Sequence, residues 1–390
     1  MKNRMQAFKN IIWFLIALFS LTSCIDSYKP VIKSNDKGKY VVMGNVDKND
    51  TVQTVNVSMT SSISDPNYIA VTGCSVEIQN DKGINFPLSD NGDGTYTGKI
   101  DPQYMTPGSA FRVNIKTPDG TDIESDYDTI SSCPPVDSVY YNQESQYTNN
   151  ANDENKGIQL YSDLKGQNSD SRYYKWTLTE TWEYHAKWPI RWYYYLGTVY
   201  HVVPDDYSKM VCWHTLLIPK IYLLSTKNLS DNDYKRFPLN FVGSDTRRLE
   251  YGYSLLIKLE ALSHSAYVFW ERMRLNNNSN GGLYEKQPLT VIGNLHNVTH
   301  PNIQVLGFFS AVSSHTKRIF IHPIPGLQLT FKDFCTVRAL RKGIIELRGL
   351  DYIVYLAGND ETYFPTVYTR ECVDCTLLGG VTDKPSYWPN

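Results

Sequence analysis

The longest regular pattern in the sequence is an alternation of apolar and polar residues from Tyr174 to Trp188. Apolar or aromatic residues occupy the even positions and polar residues the odd ones, and Glu180 is the one exception in the even series. Successive side chains of a β-strand point to opposite faces of the sheet, so this period predicts one long strand with an aromatic face. A strand of about fifteen residues is typical of a large sandwich or a barrel wall.

The rest of the chain also favours strands joined by turns. It contains 29 Tyr in 390 residues, and aromatic residues are enriched in strands. Between Ser89 and Tyr96 the run of Asn, Asp and Gly predicts a hairpin. The further candidate strands are Lys39–Val46, Val52–Met59, Cys74–Ile78, Phe111–Lys116, Trp192–His201, Val211–Leu217, Glu250–Leu259, Leu306–Val312 and Ile344–Ala357.

The spacing of turn residues and prolines divides the chain into four parts. We expect residues 1–23 to be a signal peptide, 24–38 a tether, 39–132 an immunoglobulin-like β-sandwich, and 136–390 a larger β-sandwich or β-barrel-like domain. The boundary falls at Cys133-Pro134-Pro135, because proline cannot donate a hydrogen bond to a sheet. The polar stretch from Gln143 to Lys156 predicts a loop. One helix is expected near 263–275, with Ser263 as its N-cap and its apolar side in the core.

The N-terminus has the order of residues found in a secretory signal. Lys2, Arg4 and Lys9 precede an uncharged run from Ile11 to Leu21, which is shorter than the roughly 20 residues that span a membrane. The run ends in Leu21-Thr22-Ser23-Cys24, which resembles the lipobox of bacterial lipoproteins. We therefore expect cleavage before Cys24 and lipid on its sulfur, which would hold the mature chain on a membrane.

The charge and the motifs of the sequence do not predict binding of nucleic acids, metals or cofactors. The net charge is −2 without a concentrated basic run, whereas phosphate binding needs a positive surface. His296 and His300 are four residues apart but are followed by Pro301, which indicates a loop rather than a helical metal site. Cys372 and Cys375 lack the second pair of ligands that zinc requires. We expect no bound metal, no cofactor and no nucleic-acid partner.

Six cysteines remain after Cys24 is assigned to the lipid, and the cell envelope permits disulfides. Six thiols allow fifteen pairings, so the sequence alone does not choose one. We expect Cys372 and Cys375 to be structural, with at least one of them joined to another cysteine, and Cys212 is the first candidate.

An aromatic cluster is the best candidate for a ligand or partner site. Its rings could form the core of a sandwich or line a groove that binds sugars or peptides. Glu180 bears on the choice, because an unpaired buried carboxylate is costly, so either the face meets solvent or a basic group lies opposite. The candidate residues are Trp176, Glu180, Trp182, Tyr184, Trp188 and Trp192.

Short motifs spread over nearly the whole mature chain, in matching order, resemble one family. They are Cys24 behind a signal, Tyr40-Val41-Val42-Met43-Gly44, Thr117-Pro118-Asp119-Gly120, Pro135-Val136-Asp137-Ser138, Cys212-Trp213, Ala266-Tyr267-Val268-Phe269-Trp270, Gly281-Gly282-Leu283, Gly293-Asn294, Leu306-Gly307-Phe308-Phe309, Cys372-Val373-Asp374-Cys375, Gly379-Gly380 and Lys384-Pro385. The chain resembles the domain of unknown function 4249 family, lipoproteins of the Bacteroidetes.

The resemblance implies a non-catalytic lipoprotein of the outer membrane or cell surface that serves as a ligand-capturing or accessory partner of a TonB-dependent receptor. The leaflet stays open between the periplasmic face and the cell surface. The alternative is an envelope hydrolase without a recognisable motif, since neither His-Glu-x-x-His nor Gly-x-Ser-x-Gly occurs in the sequence.

Replacing Cys24 tests the predicted anchor. Cys24→Ser removes the thiol that would carry the lipid, so we expect the precursor to stay unlipidated and the protein to leave the membrane fraction. Acyl labelling and membrane fractionation, with the unchanged chain as control, measure both effects. A mutant that stays in the membrane pellet with unchanged labelling would contradict the assignment.

Overall fold

The computed structural model describes residues 38–62, 65–147, 154–277 and 291–389. Within these residues the chain forms 23 strands and one α-helix, which confirms the predicted all-β class with a short helix. The signal peptide, Cys24 and most of the tether lie outside the described residues. No helix in the described part is long and apolar enough to cross a membrane.

The N-terminal part encloses its own hydrophobic core between layers of short strands. Val55 and Val57 from one layer and Ile78 and Val113 from the other are fully buried in this core. The hairpin predicted at Ser89–Tyr96 is present, with Gly92 and Gly94 at positive φ in its turn. The strands are β1 (Tyr40–Asp47), β2 (Gln53–Met59), β3 (Ile69–Ala70), β4 (Ser75–Asn80), β5 (Asn85–Asp90), β6 (Thr95–Gly98), β7 (Ala110–Lys116), β8 (Asp122–Ser125) and β9 (Asp128–Thr129).

The strands that follow form the larger part of the molecule, except that β19 pairs with β8 of the N-terminal part. They are β10 (Val139–Tyr147), β11 (Glu154–Lys165), β12 (Tyr173–His185), β13 (Ile190–Tyr195), β14 (Thr198–Asp206), β15 (Val211–Leu217), β16 (Tyr222–Ser225), β17 (Asp233–Gly243), β18 (Gly252–Ala261), β19 (Leu295–Asn297), β20 (Leu306–Ile321), β21 (Val337–Ala339), β22 (Val354–Gly358) and β23 (Tyr363–Tyr368). The three-stranded sheet β10-β11-β17 shares a core with β12 and β18, so this part is a sandwich.

A parallel pairing joins the two parts into one sheet. Strand β1 lies beside β20, with Val42 next to Gly307 and Asn45 next to Ser310. The sheet therefore runs from β15 through β12, β18, β20 and β1 into the N-terminal strands. Residues after 291 also enter the N-terminal core, through Leu295, Val305 and Phe309.

The helix α1 (His264–Asn277) begins where the sequence predicts it. The Ser263 hydroxyl accepts a hydrogen bond from the Ala266 amide at 3.1 Å, as an N-cap does. Ala266 and Phe269 are buried against Phe308 and Val312 of β20. The apolar side of the helix is therefore core, which agrees with the sequence interpretation.

Two predicted strands are wrong because glycines turn the chain inside them. The run Trp192–His201 is the hairpin β13–β14, in which Leu196 and Gly197 adopt φ of 45° and 87° at the turn. The run Ile344–Ala357 contains a 3-10 helix at Gly343–Leu347, a turn at Gly349 with φ of 86°, and only then β22. Apolar composition alone did not distinguish a turn of helix from a strand.

The loop predicted from Gln143 to Lys156 is also largely wrong. Strand β10 continues to Tyr147 and β11 starts at Glu154, and the two pair along their length. The exposed polar side chains of this hairpin suggested a loop, but backbone pairing with a neighbouring strand does not require apolar residues on both faces.

Two disulfides tie the C-terminal segment to the larger part. Cys212 of β15 pairs with Cys375, the partner named first from the sequence, and Cys335 pairs with Cys372. The Cys372-x-x-Cys375 motif is thus divided between two bridges. Among the described cysteines, Cys74 and Cys133 are free thiols.

Removing the bridge across the longer segment is expected to lower stability more. Cys212→Ala removes the disulfide between cysteines 163 residues apart in the sequence, and Cys335→Ala removes the one between cysteines 37 residues apart. In the chain-entropy account these disulfides contribute roughly 5 and 4 kcal/mol to the free energy of unfolding. Urea unfolding of the oxidised variants measures the loss. The same comparison under reducing conditions is the control, and an unchanged midpoint for oxidised Cys212→Ala would contradict the prediction.

Candidate functional site

The aromatic face of β12 lies inside the sandwich. Trp176 is 1% exposed, and its ring stacks on Phe237 of β17 with ring centres 4.3 Å apart. Tyr184 is also buried, and its hydroxyl donates to the Cys375 carbonyl oxygen at 2.9 Å. These two residues are core and do not line a surface groove, because the sheet β10-β11-β17 covers Trp176 and the disulfide-bonded segment around Cys375 covers Tyr184.

Glu180 has the basic partner that its burial requires. Arg248 Nη1 lies 3.0 Å from one carboxylate oxygen and 3.1 Å from the other, and the Tyr253 hydroxyl donates at 2.8 Å. Burial raises the pKa of Tyr253, and the negative charge of Glu180 raises it further. A buried charge with a paired cation and a hydrogen bond is a structural element of the core, so this residue is also not exposed in a groove.

The three other aromatic candidates lie apart from one another. Trp182 is half-buried and stacks on His214 with ring centres 4.5 Å apart. Trp188 is 42% exposed beside Tyr368, and Trp192 stacks on His201 at 3.8 Å in the C-terminal sheet. The six candidate residues of the aromatic cluster therefore do not form one site.

The opposite, polar face of β12 is the more open one. Residues directly opposite each other on neighbouring antiparallel strands point to the same face of the sheet. Each odd-numbered residue of β12 therefore forms a row with its partner on β18 and the next partner on β20. We call this surface the polar sheet face. Its rows are Lys175–Glu260–Ser314, Thr177–Lys258–Thr316 and Thr179–Leu256–Arg318.

A cavity of about 160 Å³ lies at one end of the polar sheet face, where the two parts of the molecule meet. We call it the junction cavity. It is bounded by strands from both parts and by α1, and such boundaries are common positions for ligand sites. Its lining residues are Met43, Gly44, Asn45, Thr54, Asn56, Lys175, Glu260, Trp270, Phe308 and Ser310.

Charged groups around the junction cavity are paired with each other. Lys175 Nζ lies 2.7 Å from a Glu260 carboxylate oxygen and 4.4 Å from the centre of the Trp270 ring. In the next row, Lys258 Nζ lies 2.8 Å from Asp47 and 2.7 Å from Asp50. Burial alone would lower the pKa of Lys258, but the two carboxylates outweigh it and raise that pKa above its ordinary value.

The C-terminal residues cover the other end of the polar sheet face. The Tyr387 hydroxyl lies 3.0 Å from Thr181 Oγ1, and the Arg318 guanidinium lies 3.5 Å above the Tyr387 ring. Trp388 Nε1 donates to Glu183 at 3.0 Å. The face is therefore bounded by Trp270 at one end and by Trp388 at the other.

Sequence reasoning missed this surface because it favoured the aromatic face of the strand. The odd residues were visible in the alternation, but the residues that complete the rows come from β18, β20 and β1, far along the chain. In the described part of the chain, no cluster of three His, Cys, Asp or Glu residues could hold a metal ion.

Truncating tryptophans inside and outside the sandwich tests this placement. Trp176→Ala removes a buried ring and should lower the free energy of unfolding by about 3 to 5 kcal/mol. Trp188→Ala, the matched control, changes a ring that is 42% exposed and should cost much less. Chemical unfolding followed by circular dichroism measures both. Equal losses for the two variants would contradict the assignment of Trp176 to the core.

Comparison with known families places the chain in one of them, while a comparison with curated proteins finds no match. The matching family model is described as a domain of unknown function, DUF4249, and it covers residues 25–318. This range includes the N-terminal core, most of the core that β12 and β18 share with β10-β11-β17, and every residue that lines the junction cavity. The chain belongs to the DUF4249 family.

Proposed function

We propose that the protein is a lipid-anchored envelope protein that acts by binding rather than by catalysis. In this proposal it serves as a ligand-capturing or accessory partner of a TonB-dependent transporter at the outer membrane. The observation that carries the binding role is the junction cavity, where both parts of the molecule contribute polar side chains beside an indole ring. Small-molecule sites combine apolar walls with a few placed polar groups in this way.

The charges near the cavity favour binding over proton transfer. A general acid or base works best with a pKa near the working pH. Asp47 and Asp50 raise the pKa of Lys258 further from neutrality, and Lys175 is held by Glu260. Groups paired in this way can orient a bound molecule through hydrogen bonds.

The envelope location rests on the sequence and on the family. The signal and the Leu21-Thr22-Ser23-Cys24 motif support a lipid anchor. The resemblance to DUF4249 lipoproteins supports the transporter as partner. Two disulfides are in keeping with an oxidising compartment.

Isolation of the lipidated protein from native membranes tests this proposal. The tagged chain is solubilised in mild detergent, captured, and its partners are identified by mass spectrometry. We expect a TonB-dependent receptor to be enriched with the unchanged chain and lost with Cys24→Ser, because the unanchored protein no longer meets the receptor in the membrane. Capture of the lipidated protein without any such receptor would contradict the transporter partnership.

A further inference from the structure

We propose that the junction cavity binds one unit of a neutral carbohydrate. This inference rests on the proposed binding function and names its ligand class. The cavity lies at the β1–β20 pairing, where the sheet passes from one hydrophobic core to the other. Its walls are strands and one helix, so its side chains are held by the framework on either side.

Several polar groups in the cavity retain hydrogen-bonding capacity. Ser310 is 8% exposed, and its hydroxyl makes no hydrogen bond to any described residue. The side chains of Asn45 and Thr54, in the same row, are likewise without a partner within the described residues. A polar group as little exposed as Ser310 is normally satisfied by protein or by ordered water, while Asn45 and Thr54 are half-buried. Together they present hydroxyl and amide groups that can both donate and accept.

The ion pair in the wall favours an uncharged ligand. Lys175 and Glu260 neutralise each other at 2.7 Å, and both are largely buried. A carboxylate or phosphate on the ligand would face Glu260, and an ammonium would face Lys175, so a charged ligand meets repulsion along with attraction. Neighbouring hydroxyls of a sugar can instead accept from the ammonium and donate to the carboxylate. Hydrogen bonds to charged groups are the stronger ones.

Apolar surface completes the match to a sugar ring. Met43, Phe308 and Trp270 line the cavity beside the polar row. The carbon-bound hydrogens of a sugar can pack on such side chains while its hydroxyls reach Ser310 and Glu260. Lys175, above the indole at 4.4 Å, holds the Trp270 ring in place.

Binding of simple glycosides to the mature chain tests the inference. The probes are the methyl glycosides of glucose, galactose, mannose and N-acetylglucosamine, with glucuronate and glycine as charged comparisons. Saturation-transfer NMR detects binding, and titration calorimetry measures the Kd. We expect at least one neutral glycoside to bind, and to bind more tightly than glucuronate or glycine.

Substitutions inside and outside the cavity lining test whether the glycoside binds in the junction cavity. Glu260→Gln should weaken the glycoside about tenfold or more, and Ser310→Ala about threefold to tenfold, since each loses a hydrogen bond. Thr316→Ala, on the same sheet face outside the cavity lining, should leave the Kd unchanged. Ser310→Ala removes a single oxygen, so it keeps the test valid if Glu260→Gln fails to fold.

The inference is overturned if none of the four glycosides binds, if a charged comparison binds more tightly, or if Ser310→Ala leaves the Kd unchanged. Such results would leave the transporter partnership intact, because that is judged by receptor capture from membranes and not by sugar binding. Conversely, glycoside binding without a captured receptor would support this site while contradicting the partnership.

Discussion

Burial of the aromatic face of β12 is the constraint on which the larger part of the molecule depends. Trp176, Leu178 and Tyr174 are all but inaccessible, and they pack against the sheet β10-β11-β17. Apolar burial is the main favourable contribution to folding. Once this face is enclosed, the other face of the same strand is directed outward, and its Lys and Thr residues form part of the polar sheet face.

The parallel pairing of β1 with β20 has a second consequence. It joins residues 41–47 to residues 306–312, so the N-terminal core is completed by residues from far along the chain. The same pairing brings Asn45 and Ser310 side by side at the junction cavity. A binding site at this position is therefore a product of how the two parts are joined, and neither part contains it alone.

Paired charges serve different purposes on the two faces of β12. On the inner face, Arg248 and Tyr253 satisfy Glu180, which makes a carboxylate tolerable in the core. On the outer face, Lys175 and Glu260 border a cavity and keep hydrogen-bonding capacity toward it. The difference lies in the surroundings of each carboxylate, since Glu180 is 2% exposed beside the Tyr253 hydroxyl whereas Glu260 lines the cavity.

The sequence by itself determined the all-β class, the long strand at Tyr173–His185, the start of α1 at Ser263, and the hairpin at Asn91–Gly94, because these features arise from local periodicity and turn chemistry. It also contained the condition that Glu180 meet either solvent or a basic group, although it did not identify Arg248. Runs such as Trp192–His201 were misjudged, since two residues at positive φ outweighed their strand composition. Only the tertiary structure decided which face of β12 is buried and which residues meet at the junction cavity, because both depend on contacts between strands that are distant in the chain.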